Sequence, residues 1–518
     1  MIHYRQIVGA GQILACVLAY GQSTPLQLGI LSLERGDYPA ALRELKEASH
    51  GRPNDASIHN FIGITETKLG DIDDADREYQ AASRLDPTLS GPYKNLGFNY
   101  LNAGQYELAE APLKTALSLD HRDPFIHYYL AILYLSTSRI TEAILQISPA
   151  QDLLGKDASN ALLAIKTCLQ SGHPDEALNL IHLLSRGSLL SFAQVYEVAN
   201  LLTEHWMYVD AVPLFEELVQ RQPGSWENKY NLASAFLKAK RPKDARMLLV
   251  PLSLEHKGDA NILSMLGSAY DLEGKPALAL EPYRNAIDLD HSNPNRYLDC
   301  TRVMVDLNRF DEASALLRRG LALVPDPYVL RIRIGAIEMM QGHYEKARES
   351  FKEALLEHPD IALGYVALAQ TYMKEADNQT AMSILMDGRN KVSKDFALEY
   401  VLGLVSFEVG EQEQALEALT NAEQLGPDVV EPHYQLGMLY MQRHQWIDAQ
   451  DEFNRVLRIN PHHATSFYQL SRTYERTGDV DKARQMAAQA SSLNRTQRED
   501  AIRFEQLRLG IPSNPDQP

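Results

Sequence analysis

A chain of 518 residues with a formal charge of −18 would be repelled by the phosphates of nucleic acid over most of its surface, and by an anionic bilayer for the same reason. Its 45% apolar content is ample for a packed core, while three cysteines provide no disulfide framework.

Residues 1–21 stand apart from everything that follows. Arg5 supplies a short positive region, Ile7 to Tyr20 form a mostly apolar run, and Ala19-Tyr20-Gly21 has a small-x-small pattern. This is the layout of a secretory signal peptide cleaved near Gly21, with a run too short to span a bilayer. The sequence therefore predicts an exported protein, periplasmic or extracellular, with no transmembrane span. Cys16 follows Ile13-Leu14-Ala15, which resembles a lipoprotein box with Leu14 where a small residue is usual; the alternative is a lipid anchor through Cys16.

From residue 22 onward one frame governs the chain. Ala41, Ala75, Ala109, Ala143, Ala177, Ala211 and Ala245 stand 34 residues apart, and Ala279, Ala313, Ala347, Ala381, Ala415, Ala449 and Ala483 continue without a slip. Twelve residues before the alanine stands a small residue in most units: Gly29, Gly63, Gly97, Gly267, Gly335, Gly403 and Gly437, or Ala131, Ala199, Ala233, Ala369 and Ser471. Only Thr301 and Ile165 break that column. Nine before come Tyr100, Tyr134, Tyr270, Tyr372, Tyr440 and Tyr474; five before, a turn glycine such as Gly36, Gly104 or Gly342. Four after the alanine sit Leu45, Tyr79, Phe215, Tyr283, Phe351 and Phe453, and twelve after, prolines such as Pro53, Pro223 and Pro427.

A fixed period of this length means stacked supersecondary units. The pattern resembles the tetratricopeptide repeat (TPR) family over residues 22–495. The resemblance implies an all-α fold: a right-handed α-solenoid of about 14 tandem 34-residue helix–turn–helix repeats with a C-terminal capping helix. Units begin near 22, 56, 90, 124, 158, 192, 226, 260, 294, 328, 362, 396, 430 and 464. The physics is compatible with that. Small residues on both helices of a unit let two backbones approach closely, a glycine supplies the turn, and a proline ends the second helix.

Irregularities follow the same frame. Pro149 and Ile165 predict a looser or bent segment from Ser148 to Asp157, Pro251 repeats the place of Pro149, and Pro112 and Pro282 predict kinks. Cys168 and Cys300 lie four repeats apart, about 40 Å if units stack at about 10 Å, so they cannot pair and read as buried thiols. Ala501, Ile502, Phe504 and Leu507 give residues 496–509 the apolar stripe of a separate capping helix, and 510–518 read as a disordered tail.

No phosphate loop, dinucleotide fingerprint or zinc helix is present, and His462-His463 read as solvated loop residues. The expectation is no enzyme, no cofactor and no metal. In the TPR family the first helices line a concave groove, and the stripe on those helices is apolar in two places. The first holds Phe98, Tyr128 and Ile132; the second holds Met339, Met373, Tyr400, Leu404, Tyr434, Met438 and Met441. Methionine and tyrosine suit a face that grips apolar side chains without demanding one shape. These residues are the predicted groove for protein or peptide segments, and the chain reads as a non-catalytic scaffold. Second and third readings are an assembly factor of an envelope complex, self-associating through exposed repeat faces, and an accessory subunit of an enzyme system. A chaperone-type carboxylate clamp fails, because Ala193 stands where a lysine is wanted beside Asn200 and Asn231.

Overall fold

The small-residue column does what the spacing requires. A Cβ added at Gly63 would lie 2.7 Å from the Tyr79 ring, at Gly267 2.8 Å from Tyr283, and at Gly335 2.5 Å from Phe351. Each glycine meets the side chain sixteen residues on, so the same backbone approach recurs wherever the column holds glycine. The large partners Tyr79, Tyr283, Phe351 and Phe453 are almost wholly buried, and the frame alanines are sealed from solvent.

The computed structural model describes residues 24–187 and 189–508. Among these are 28 α-helices and no strand, and they form an all-α repeat solenoid of fourteen helix pairs. First helices begin at Ala56, Ser90, Pro124, Ala158, Phe192 and Trp226, and onward at the same interval to Ala464. The expected signal peptide, Cys16 and the 510–518 tail lie outside the described residues. Among those that are described, no helix is long and apolar enough to cross a membrane. The chain divides into two compact units, residues 1–244 and 245–518.

Local chemistry explains the helix boundaries. Asp123 accepts a hydrogen bond from the Phe125 amide at 2.8 Å, and Asp259 accepts from Asn261 and Ile262, so acidic caps satisfy amides that lack an intrahelical partner. Every turn within a pair places one residue at positive φ. Eight of these are glycines, but Ser138, Trp206, Lys240, Asn308, Ala376 and His444 adopt φ 57–63° at the same frame position. Packing of the two helices therefore imposes the left-handed turn even where a side chain opposes it.

A second periodic device ties the loop between repeats to the first helix. His59, His127 and His433 each donate Nε2–H to the carbonyl six residues earlier: Pro53 at 2.9 Å, His121 at 3.0 Å and Pro427 at 3.0 Å. Tyr297 and Tyr365 do the same from their hydroxyls, to His291 at 3.2 Å and Pro359 at 2.9 Å. Arg296 ties one repeat to the previous one, donating from within the core to the Ala260 carbonyl at 2.9 Å and Ser264 at 2.7 Å.

The prolines inside second helices do not end those helices. The helix Ile140–Leu154 runs unbroken through Pro149, as do Tyr106–Leu119 through Pro112 and Pro276–Leu289 through Pro282. A proline removes the amide that would bond the carbonyl four residues back. For Pro112, Pro149, Pro251 and Pro282 that carbonyl belongs to Leu108, Leu145, Met247 or Leu278, residues that are 55–71% exposed and so lie on the solvent side of their helices. One expectation needs correction, at the C-terminus. The last helix is a single element, Val480–Arg508, so the cap expected to begin near 496 continues the second helix of the last repeat. Cys168 and Cys300 are free and fully buried, and burial pushes their thiols up to about 12 and about 11.

The close approach gives a direct test. Gly335→Ala is expected to cost about 1–3 kcal/mol through overpacking against Phe351. Adding Phe351→Leu, itself destabilising, should recover part of that loss. Urea unfolding followed by helical circular dichroism measures the coupling; strictly additive losses would contradict the proposed contact.

Candidate functional site

The two predicted patches lie in different units, and each is built on its own core. In the first, Phe98 and Ile132 are half-buried, and the Phe98 ring sits 4.9 Å from that of Tyr129. Lys94 reaches over Phe125, 5.8 Å from its centroid, while its ammonium pairs with Asp123 at 2.5 Å. Tyr128 is different. It is only 8% exposed, and its hydroxyl donates to Asp157 at 2.7 Å, which ties the first helix of repeat four to the start of the next. Burial works to raise the Asp157 carboxyl, but donors from Tyr128 and Asn160 prevail and hold it below its ordinary 3.8. The same burial, together with Asp157, pushes the Tyr128 hydroxyl well above its ordinary range.

In the second unit every predicted residue is half-buried. Met339 rests on the cluster of Phe351 and Leu368, and Met373 on that of Ala369 and Leu398. Tyr400 stacks on Phe396 at 6.0 Å and also packs against the Leu419–Leu436 cluster. Tyr434, Met438 and Met441 back onto Phe453 and Leu470, and Leu404 is half-buried on the same face of its helix as Tyr400. One side of each side chain is thus committed to the repeat core, and the other is open. Two more residues extend the stripe: Leu363 is 52% exposed and Tyr468 53%. Tyr468 stands 34 residues after Tyr434, so the repeat frame alone could have found it.

His462 is exposed, as expected, but His463 is not a free loop residue. Its Nδ1 lies 2.8 Å from the Ser466 hydroxyl and caps the Ala464 helix, while its ring lies 5.5 Å from that of Tyr434. Nearby is a group no sequence motif pointed to. His433 Nδ1 lies 2.8 Å from Glu452 and 3.9 Å from Glu423, and Arg455 reaches both carboxylates, at 3.1 Å and 2.5 Å. Three successive helices contribute, so no local spacing marks the cluster; the only signal was a histidine with an acid nineteen residues on, as in His59 and Glu78.

Sequence profiles described as tetratricopeptide repeat match residues 26–90, 205–268, 272–333 and 428–496. The chain belongs to the TPR family. It is 23% identical over 455 residues to a TPR repeat-containing protein of Methanocaldococcus jannaschii, covering 86% of this chain and 65% of that one, so it spans less than two thirds of that relative. It is 21% identical over 394 residues to the TPR repeat-containing protein YpiA of Bacillus subtilis, covering 75% and 84%. Among solved structures, yeast Tom70 matches over 98% of each chain at 16% identity and a TM-score of 0.38.

The Tyr128–Asp157 tie of this TPR array predicts a pH signature. A carboxyl held low in the folded state contributes stability above its ordinary range, and that contribution is lost as pH falls through the lower folded value. Tyr128→Phe should therefore destabilise by about 1.5–3 kcal/mol at pH 7, the scale of a hydrogen bond to a charged group. The difference from wild type should shrink progressively below the ordinary Asp value of 3.8. Thermal unfolding of both proteins from pH 7 to pH 3 measures it; a pH-independent difference would remove the charged partner from the account.

Proposed function

We propose that this TPR protein is a non-catalytic scaffold that holds segments of partner polypeptides against the first-helix stripe of its last four repeats. The observation that carries the reading is the half-open stripe itself. Leu363, Tyr400, Leu404, Tyr434, Met438 and Tyr468 belong to four successive first helices, and core packing behind Tyr400, Tyr434 and Met438 limits their motion. Such side chains lose little conformational entropy when a partner arrives, and they offer apolar area to a segment laid across the helices. The segment that fits is extended or helical, with apolar side chains at intervals. Phe98 and Ile132, with Phe125, form a smaller face of the same kind in the first unit.

A photo-crosslinking amino acid at Tyr468 should give protein adducts in native extract, and Leu363→Asp should reduce them. The same group at Leu356, 84% exposed on a second helix, is the control. Equal adduct yields from the two positions would sink the assignment. Tyr468 and Leu363 suit this test better than Tyr434 or Met438, whose replacement also disturbs the Phe453 core.

We further propose that the scaffold works outside the cytoplasm, on the strength of Arg5, the apolar run Ile7 to Tyr20 and Ala19-Tyr20-Gly21; the alternative is attachment through a lipid on Cys16. Mass spectrometry of the mature N-terminus distinguishes them: a start at or next to Gln22 supports cleavage, a lipidated Cys16 supports the anchor, and an intact Met1 contradicts both.

A further inference from the structure

We propose that Glu423, His433 and Glu452 form a binding site for a divalent transition-metal ion of the zinc class. Their donor atoms, His433 Nδ1 and one oxygen of each carboxylate, all lie within 4.8 Å of one another. They come from three consecutive helices: Gln412–Leu425, Val430–Gln442 and Trp446–Ile459. The His433 side chain is 4% exposed and that of Glu452 9%, so the site is built into the stack rather than laid on its surface.

The backbone fixes which nitrogen is offered. The Pro427 carbonyl, 3.0 Å away, can only accept, so Nε2 carries a proton and Nδ1 turns toward the two acids. A histidine donating its outer N–H to a carbonyl while presenting the other nitrogen is the usual second-shell arrangement of a metal ligand. The loop tie alone does not explain the rest of the cluster. At His59 and His127 the same tie operates with one partner each, Glu78 and Gln146. There, Ser49 and Leu117 stand where Glu423 stands, and Ala81 and Pro149 where Arg455 stands. Only at His433 is a second carboxylate added.

Arg455 is the competitor. Its side chain is 42% exposed, so it can turn to solvent without leaving a buried charge. Without an ion, the Arg455 guanidinium pairs with both carboxylates, and one proton is shared between Nδ1 and Glu452 across 2.8 Å. A dication replaces both: the shared proton goes to solvent, the Nδ1 lone pair and the Glu452 oxygen take the metal, and the guanidinium swings out. One nitrogen and two carboxylates suit zinc and its neighbours better than calcium or magnesium, which favour oxygen throughout, and three protein ligands leave room for water.

The test is calorimetric titration of chelator-treated full-length protein with Zn²⁺, run in buffers of different ionisation enthalpy. One ion per chain is expected, with proton release. Glu423→Gln, a partly exposed and mild change, should weaken binding at least tenfold and abolish any rise in melting temperature on adding zinc; His433→Gln should do the same. Arg455→Ala should bind severalfold more tightly, a gain that a purely structural salt bridge does not predict. No stoichiometric binding, affinity unchanged in Glu423→Gln, or weaker binding in Arg455→Ala would each overturn the proposal.

Discussion

The molecule depends on one contact repeated along the chain: a small residue on the first helix of a pair facing a large side chain sixteen residues later on the second. Gly335 leaves no room for even a methyl group beside Phe351. Where the column holds alanine instead, the residue sixteen positions on is Ile147, Phe215, Leu249 or Leu385, so the small position is set against aliphatic and aromatic side chains alike. A helix pair alone cannot cover its apolar face, and each such contact sets the surface on which the next pair stacks. This is why the frame tolerates no insertion from Ala41 to Ala483. One added residue would rotate a helix by about 100° and turn its small residue away from its partner.

The other features are subordinate to that contact. Six turns hold a non-glycine residue at positive φ, including a tryptophan, because pair geometry dominates a local cost of about 1–2 kcal/mol. Helices run through proline where the stranded carbonyl lies on the outer side. The ties from His59, His127, Tyr297, Tyr365 and His433 vary in chemistry but reach the same loop carbonyl. A hydroxyl and an imidazole are interchangeable there, since the position asks only for a donor at the right reach.

This division explains what could be read from the sequence. Periodic constraints appear as columns, so the repeat architecture, the close approach and the buried cysteines were all legible. Whether Pro149 breaks its helix depends on which way the Leu145 carbonyl faces, a property of the fold and not of the local string. The uninterrupted Val480–Arg508 helix was partly legible, because no glycine or proline occurs within it. Tyr128 belonged to the right stripe, yet Asp157, the cap of the next repeat's first helix, claims its hydroxyl, as Asp123 one repeat earlier pairs with Lys94. The Glu423–His433–Glu452 cluster was hidden because its members are spread over three helices.

Half-burial is the property shared by Met339, Met373, Tyr400, Leu404, Tyr434, Met438 and Met441 in the second unit. A fully exposed methionine or tyrosine would be mobile and costly to order on binding, and a fully buried one would be unavailable. Packing against Phe453 and Leu470 holds Tyr434 and Met438 between those limits. His433 and Tyr434 are adjacent on one helix and point about 100° apart. One reaches inward to the carboxylates and the Pro427 carbonyl, and the other contributes to the outer stripe. The helix is thus fixed from two sides, by the polar contacts of His433 and by the apolar packing of Tyr434 on Phe453.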